Sequence, residues 1–186
     1  MAITLYIARH GETEENLNHI LQGHMPGHLN DNGRKQAAQL GADLQGIHFD
    51  ALLCSDLKRC VDTANIVNQS LNLRMETTPL LRERDWGMLT GCNYRSMVDQ
   101  DMESVETVEQ LYFRAEQFLK QLAEHHDNET VLCISHGLFC RVIQGVYLGK
   151  SIREIPRMNN AEVRRLEIIT PLSFNALHEE SGLTAD

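Results

Sequence analysis

Two short apolar runs, far apart in the chain, end in the same way. Ile3–Ala8 closes on Arg9-His10-Gly11, and Val131–Ile134 closes on Ser135-His136-Gly137. A short apolar run bounded by such a break reads as a buried strand. The glycine after each histidine lets the backbone turn sharply as it leaves the strand. In open α/β sheets, ligands bind at the rim formed by the carboxyl ends of the strands. Two strand ends in one sheet can therefore bring their histidines together whatever their separation in sequence. One His-Gly at a strand end reads as a polar turn. Two copies, one of them preceded by an arginine, mark a candidate site.

The rest of the chain alternates between strand and helix patterns. Thr4–Ala8, Ala51–Ser55, Leu73–Thr77, Thr130–Ser135 and Val163–Ile169 read as strands, with a last short one around Phe174–Leu177. Asn30 is placed to cap a helix carrying Ala37, Leu40, Gly41 and Leu44 on one face. Leu57, Val61, Ala64 and Leu71 line a second helix. Val105, Val108, Leu111, Tyr112, Ala115, Phe118, Leu119 and Leu122 form the strongest amphipathic pattern, and Leu138–Leu148 is an apolar helix. This βα alternation predicts a largely parallel sheet with helices on both faces. A chain of 186 residues is long enough to bury such a sheet as one domain. Residues 179–186 read as a polar tail.

The net charge of −9 sets a long-range field that disfavours nucleic acid and anionic membrane surfaces as partners. An anionic ligand would have to be held by a local cationic pocket. The five cysteines form no C-x-x-C pair, and their odd number and apolar settings suit a reducing, cytoplasmic environment. No apolar run reaches the length of a membrane span.

Chemistry gathers where the strands end. Arg9, His10, Glu12, Thr13 and Asn16 follow the first, and Ser55 and Arg59 follow the second. His136 and the amides of Gly137 and Leu138 follow the strand at 130–135, at a helix N-terminus that favours anions. Arginine's planar fork suits a phosphoryl group. A guanidinium directly after a buried strand is costly unless an anion meets it. Ser55 reads as a helix N-cap, as do Glu12 and Thr13 for the helix after the first strand.

These residues resemble the signature of the histidine phosphatase superfamily, which includes the phosphoglycerate mutases. The resemblance runs over nearly the whole chain in five ordered blocks. They are Ala8-Arg9-His10-Gly11-Glu12-Thr13-x-x-Asn16; Gln22-Gly23 with Leu29-Asn30-x-x-Gly33-x-x-Gln36-Ala37; Ser55-Asp56-Leu57-x-Arg59-x-x-x-Thr63-Ala64; Leu81-Arg82-Glu83-x-Asp85-Trp86-Gly87-x-Leu89-x-Gly91; and Ser135-His136-Gly137. It implies a phosphoglycerate mutase-like α/β/α sandwich, with residues 1–178 as a single catalytic domain. It also implies that His10 is a nucleophile carrying a phosphohistidine intermediate. Arg9, Arg59 and His136, with Asn16 assisting, would cradle the transferring oxygens, and Gln22, Gly23, Gly137 and Leu138 would complete the substrate site. Glu83 would protonate the leaving oxygen, although its run Arg82-Glu83-Arg84-Asp85 alone reads as solvated surface. No metal or other cofactor is implied, because the arginines supply the positive charge.

Two departures from the family pattern stand out. The loop Met25-Pro26-Gly27-His28-Leu29 lacks the family's usual aspartate and Pro-Leu, and it brings His24 and His28 near Gln22. The cap between Gly91 and Glu103 is only residues 92–102, with one arginine and two aspartates. A mutase has to shield its phosphoenzyme from water, whereas a phosphatase has to admit water. The short, non-basic cap favours a phosphatase acting on a small phosphorylated metabolite. A phosphoglycerate mutase and a non-catalytic phosphate-binding module remain as alternatives, with a metal-dependent hydrolase behind them.

Overall fold

The computed structural model describes residues 2–96 and 102–174. Its centre is a five-stranded sheet built from β1 (Ala2–Arg9), β2 (Ala51–Ser55), β3 (Met75–Thr78), β4 (Thr130–Ser135) and β5 (Val163–Ile169), in the order β3-β2-β4-β1-β5. The ladders are parallel except where β5 runs antiparallel along β1. Among the described residues the α-helices are α1 (Glu14–Leu17), α2 (Asp31–Asp43), α3 (Lys58–Leu71), α4 (Val108–His125) and α5 (Gly137–Leu148).

Side chains alternate across the pleat, so each central strand feeds two cores. Ile3, Leu5, Ile7, Val131 and Cys133 meet Leu111, Phe118, Leu119 and Phe139 of α4 and α5. Ala8, Leu52, Cys54, Leu132 and Ile134 meet Ala37, Leu40, Cys60, Ala64 and Val67 of α2 and α3 on the other face. The result is the expected three-layer α/β/α sandwich.

Helix ends follow side-chain chemistry. Thr13 and Asn16 close a capping box on α1, Asn30 Oδ1 accepts from Gly33 N–H at the start of α2, and Thr107 and Gln110 form a capping box on α4. The last of these corrects the sequence pattern, because Val105 is buried but lies before the helix that Thr107 begins. A Cβ on Gly33 would come 2.0 Å from the Glu12 carbonyl oxygen, and one on Gly11 would come 2.4 Å from that of Gly33. Glycine at both positions lets the start of α2 close onto the loop after β1. The segment at 92–94 pairs back onto 19–21, with Leu21 N–H on the Cys92 carbonyl and Tyr94 N–H on that of His19. Phe174 is not in a strand; the remainder of the expected strand at 174–177, residues 97–101 of the cap and the 179–186 tail lie outside the described residues.

Candidate active site

Strand register brings the two histidines together. Arg9 pairs with Ser135 across the parallel β1–β4 ladder, so His10 and His136 leave the sheet as neighbours. Their rings lie edge to face with centroids 5.2 Å apart. The helices that follow β1 and β4 pack on opposite faces of the sheet, which opens a crevice at this point of the rim.

His10 is 3% exposed, and its Nδ1 lies 2.7 Å from the Gly11 carbonyl oxygen. A carbonyl can only accept, so Nδ1 carries the proton and Nε2 keeps its lone pair. Burial, and then the charges of Arg59 and Arg9, hold the imidazole well below its ordinary pKa. His10 is thus a neutral base with a lone pair to offer.

His136 is wholly buried. Arg59 Nε–H donates to its Nδ1 at 3.1 Å, and its Nε2 lies 2.9 Å from Ser55 Oγ. Arginine can only donate, so Nε2 holds the proton and gives it to Ser55. Burial and the neighbouring Arg59 and His10 also hold His136 neutral. Ser55 therefore orients an imidazole, which corrects its reading as a helix N-cap. Helix α3 starts at Lys58 and its cap position is Leu57, whose side chain makes no capping bond; Ser55 lies two residues earlier, where its Oγ accepts from Leu57 N–H at 3.3 Å.

The guanidinium of Arg59 is 1% exposed and held by the loop before it. Nη1 donates to the Met25 carbonyl at 2.6 Å and Nη2 to that of Gly23 at 2.8 Å. Arg9 Nη1 donates to the Met158 carbonyl at 2.6 Å. Among the described residues nothing accepts from the buried Arg9 Nε. A buried charged donor left unmatched is costly, and an anion in the cleft would satisfy it. Asn16 Oδ1 accepts from Thr13 N–H and from Asn160 Nδ2, which leaves its NH2 group for a ligand.

These groups line a cleft of about 40 Å³. Its lining combines the polar Arg9, His10, Asn16, Gln22, Arg59 and Glu83 with Gly23 and the apolar Ile20, Leu21, Trp86 and Leu138. The Gln22 amide oxygen is buried with no partner among the described residues. Glu83 Oε1 accepts from Arg84 N–H at 2.9 Å and Phe139 N–H at 3.2 Å, and Oε2 from Leu138 N–H at 3.3 Å. The N-terminus of α5, expected to face a phosphate, is thus occupied by this carboxylate. Glu83 is half-buried and aimed into the site, unlike the solvated residue its charged run suggested. The Leu138 amide points at Glu83, and Gly137 is buried in the first turn of α5. Sequence reasoning missed Asn160, whose amide also reaches the His10 carbonyl. His28 lies apart, paired with Glu15.

The profile of the histidine phosphatase superfamily (branch 1) matches residues 5–171, and the chain belongs to that superfamily. It is 30% identical over 147 residues to the adenosylcobalamin/α-ribazole phosphatase of Escherichia coli (strain K12), covering 71% of this chain and 72% of that protein. It is 28% identical over 162 residues to phosphoserine phosphatase 1 of Hydrogenobacter thermophilus, covering 79% and 77%. The crystal structure of the α-ribazole phosphatase from Shigella flexneri superposes with a TM-score of 0.82 at 23% identity, over 98% and 99% of the two chains, and shares the fold. Among the described residues, no helix is long and apolar enough to cross a membrane.

The two neutral histidines predict a pH dependence of stability. Below about pH 6.5 the unfolded chain takes up protons that the folded chain refuses, so stability falls as pH falls. The slope is at most about 1.4 kcal/mol per pH unit for each histidine. Urea unfolding of the wild type between pH 7 and pH 5.5 should show it. The His10→Asn variant, which does not titrate, should have a shallower dependence.

Proposed function

We propose that this chain is a metal-independent phosphomonoesterase that hydrolyses small phosphorylated metabolites through a phosphohistidine on His10. The observation that carries the reading is the pairing of a neutral His10, its Nε2 lone pair unprotonated, with the unmatched Arg9 Nε–H in one small cleft. Relatives named as phosphatases support the hydrolytic outcome. Residues 1–178 act as one catalytic domain in this reading, with 92–102 as a short cap.

In the first step His10 Nε2 attacks phosphorus, and the bond from phosphorus to the ester oxygen breaks. Arg9, Arg59 and the Asn16 amide take the charge on the equatorial oxygens. His136 belongs to this cradle as the group that fixes the plane of Arg59. The leaving oxygen takes a proton from Glu83. Oε1 keeps its two amide donors, so Oε2 is the oxygen that carries this proton. In the second step Glu83 takes a proton from water, the hydroxide oxygen attacks phosphorus, and the phosphorus–nitrogen bond breaks to return neutral His10. The leaving group lies along Ile20, Leu21 and Trp86. Positive charge comes from arginine, so no metal takes part.

Assay of the purified protein against a panel of phosphorylated metabolites in excess EDTA tests this reading. Phosphate release should persist, and vanadate should inhibit by occupying the place of the trigonal-bipyramidal phosphoryl group. Loss of activity in EDTA that zinc, magnesium or manganese restores would overturn it.

A further inference from the structure

Behind Glu83 the loop backbone is held by a pair of side chains that lie outside the cleft. Arg114 on α4 and Glu106 just before α4 form a fork-to-fork ion pair, with side chains 15% and 13% exposed. Arg114 Nε donates to Glu106 Oε1 at 2.9 Å and Nη2 to Oε2 at 2.8 Å. The same guanidinium reaches three successive points on the acid loop: Nη1 donates to the carbonyls of Leu80 and Arg82 at 3.1 and 2.6 Å, and Nη2 to that of Glu83 at 3.2 Å. Glu106 holds Asp85, two residues beyond Glu83, because Oε2 accepts from Asp85 N–H at 3.0 Å. Its own N–H donates to the Asp85 carbonyl at 2.8 Å. His24 Nε2 lies 2.9 Å from the same Glu83 carbonyl and approaches it from the loop that holds Arg59.

The guanidinium carbon of Arg114 also lies over the Phe139 ring, 4.0 Å from its centroid. Phe139 supplies one of the two amides on Glu83 Oε1. One guanidinium therefore fixes both the backbone that presents the Glu83 carboxyl and the helix turn that receives it. A fork with five donors can do this; an ammonium cannot reach all of these acceptors at once.

We infer that Arg114, locked by Glu106, is the positioning residue for the Glu83 acid and sets its reach to the leaving oxygen. The inference rests on Glu83 acting as that acid. Displacement of a reacting group by about an ångström can cost on the order of 100-fold in rate. The sensitive quantity is proton delivery; phosphate binding draws on other residues.

The test is single-turnover phosphorylation of Arg114→Lys, followed with propyl phosphate and with p-nitrophenyl phosphate. The rate on propyl phosphate should fall about 10-fold or more. The rate on p-nitrophenyl phosphate, whose leaving group departs without a proton, and the affinity for vanadate should stay near wild type. Combined with Glu83→Gln, Arg114→Lys should add little further loss on either substrate. Equal losses on both substrates, or an undiminished loss in the Glu83→Gln background, would overturn the positioning role. If Glu83→Gln alone shows no leaving-group dependence, the acid reading fails, and that result is distinct from failure of Arg114→Lys. Glu106→Gln keeps the guanidinium but loosens its fork, and should shift the same substrate ratio in the same direction. Should Arg114→Lys not fold, an unchanged ratio in Glu106→Gln would reject the inference.

Discussion

His10→Ala should abolish turnover, with a loss on the order of 10⁴-fold or more, the scale reached when a covalent nucleophile is removed. The cleft would keep Arg9, Arg59 and Asn16, so inorganic phosphate should still bind. Acid quenching destroys phosphohistidine and base preserves it, so labelled wild-type enzyme should hold base-stable, acid-labile phosphate during turnover. The Nδ1 bond to the Gly11 carbonyl would put that phosphate on Nε2. If rapid quench traps none while turnover continues, water attacks phosphorus directly and His10 has another role.

Glu83→Gln separates proton delivery from phosphate binding. Glutamine keeps the size and accepts the amides of Leu138 or Phe139 through its carbonyl oxygen, but it carries no transferable acid proton. Phosphate affinity should change little. Phosphorylation by an alkyl phosphate should slow by ~10²-fold or more, the usual worth of a positioned general acid. The loss with p-nitrophenyl phosphate should be smaller in the same step. Single-turnover measurement is needed because, in the proposed mechanism, Glu83 would also serve the later attack by water. Equal losses would remove Glu83 as the leaving-group acid, and Asp85 would be next to examine.

The sheet and the two histidines were legible because they depend on local chemistry. Apolar runs, a turn at each His-Gly and the βα alternation suffice for β1, β4 and the crevice between them. Asn30 was legible as a cap for the same reason. Ser55 was not, because a serine between strand and helix has the composition of a cap wherever its hydroxyl points. Its true partner, His136, comes from a distant strand. The N-terminus of α5 was correctly read as seeking negative charge, but a side chain of this chain meets it. Glu83 looked like solvated surface in its own run, and only resemblance singled it out. Arg114, Glu106 and Asn160 left no sequence signal, since each acts through backbone groups far away in the chain.

The reversed direction of β5 has a consequence for the nucleophile. Parallel strands all enter from the rim opposite the site, so the chain preceding any of them is far from the chemistry. An antiparallel strand enters from the catalytic rim itself. The segment leading into β5 therefore passes His10 before pairing begins at Val163 with Ala8. That passage supplies the Met158 carbonyl to Arg9, the Asn160 amide to Asn16, and the Ala161 N–H to the carbonyls of Arg9 and His10. A β5 running parallel to β1 would enter from the opposite rim and offer no such approach. One change of strand polarity at the sheet's edge gives the approach path of the chain a part in holding the reacting imidazole.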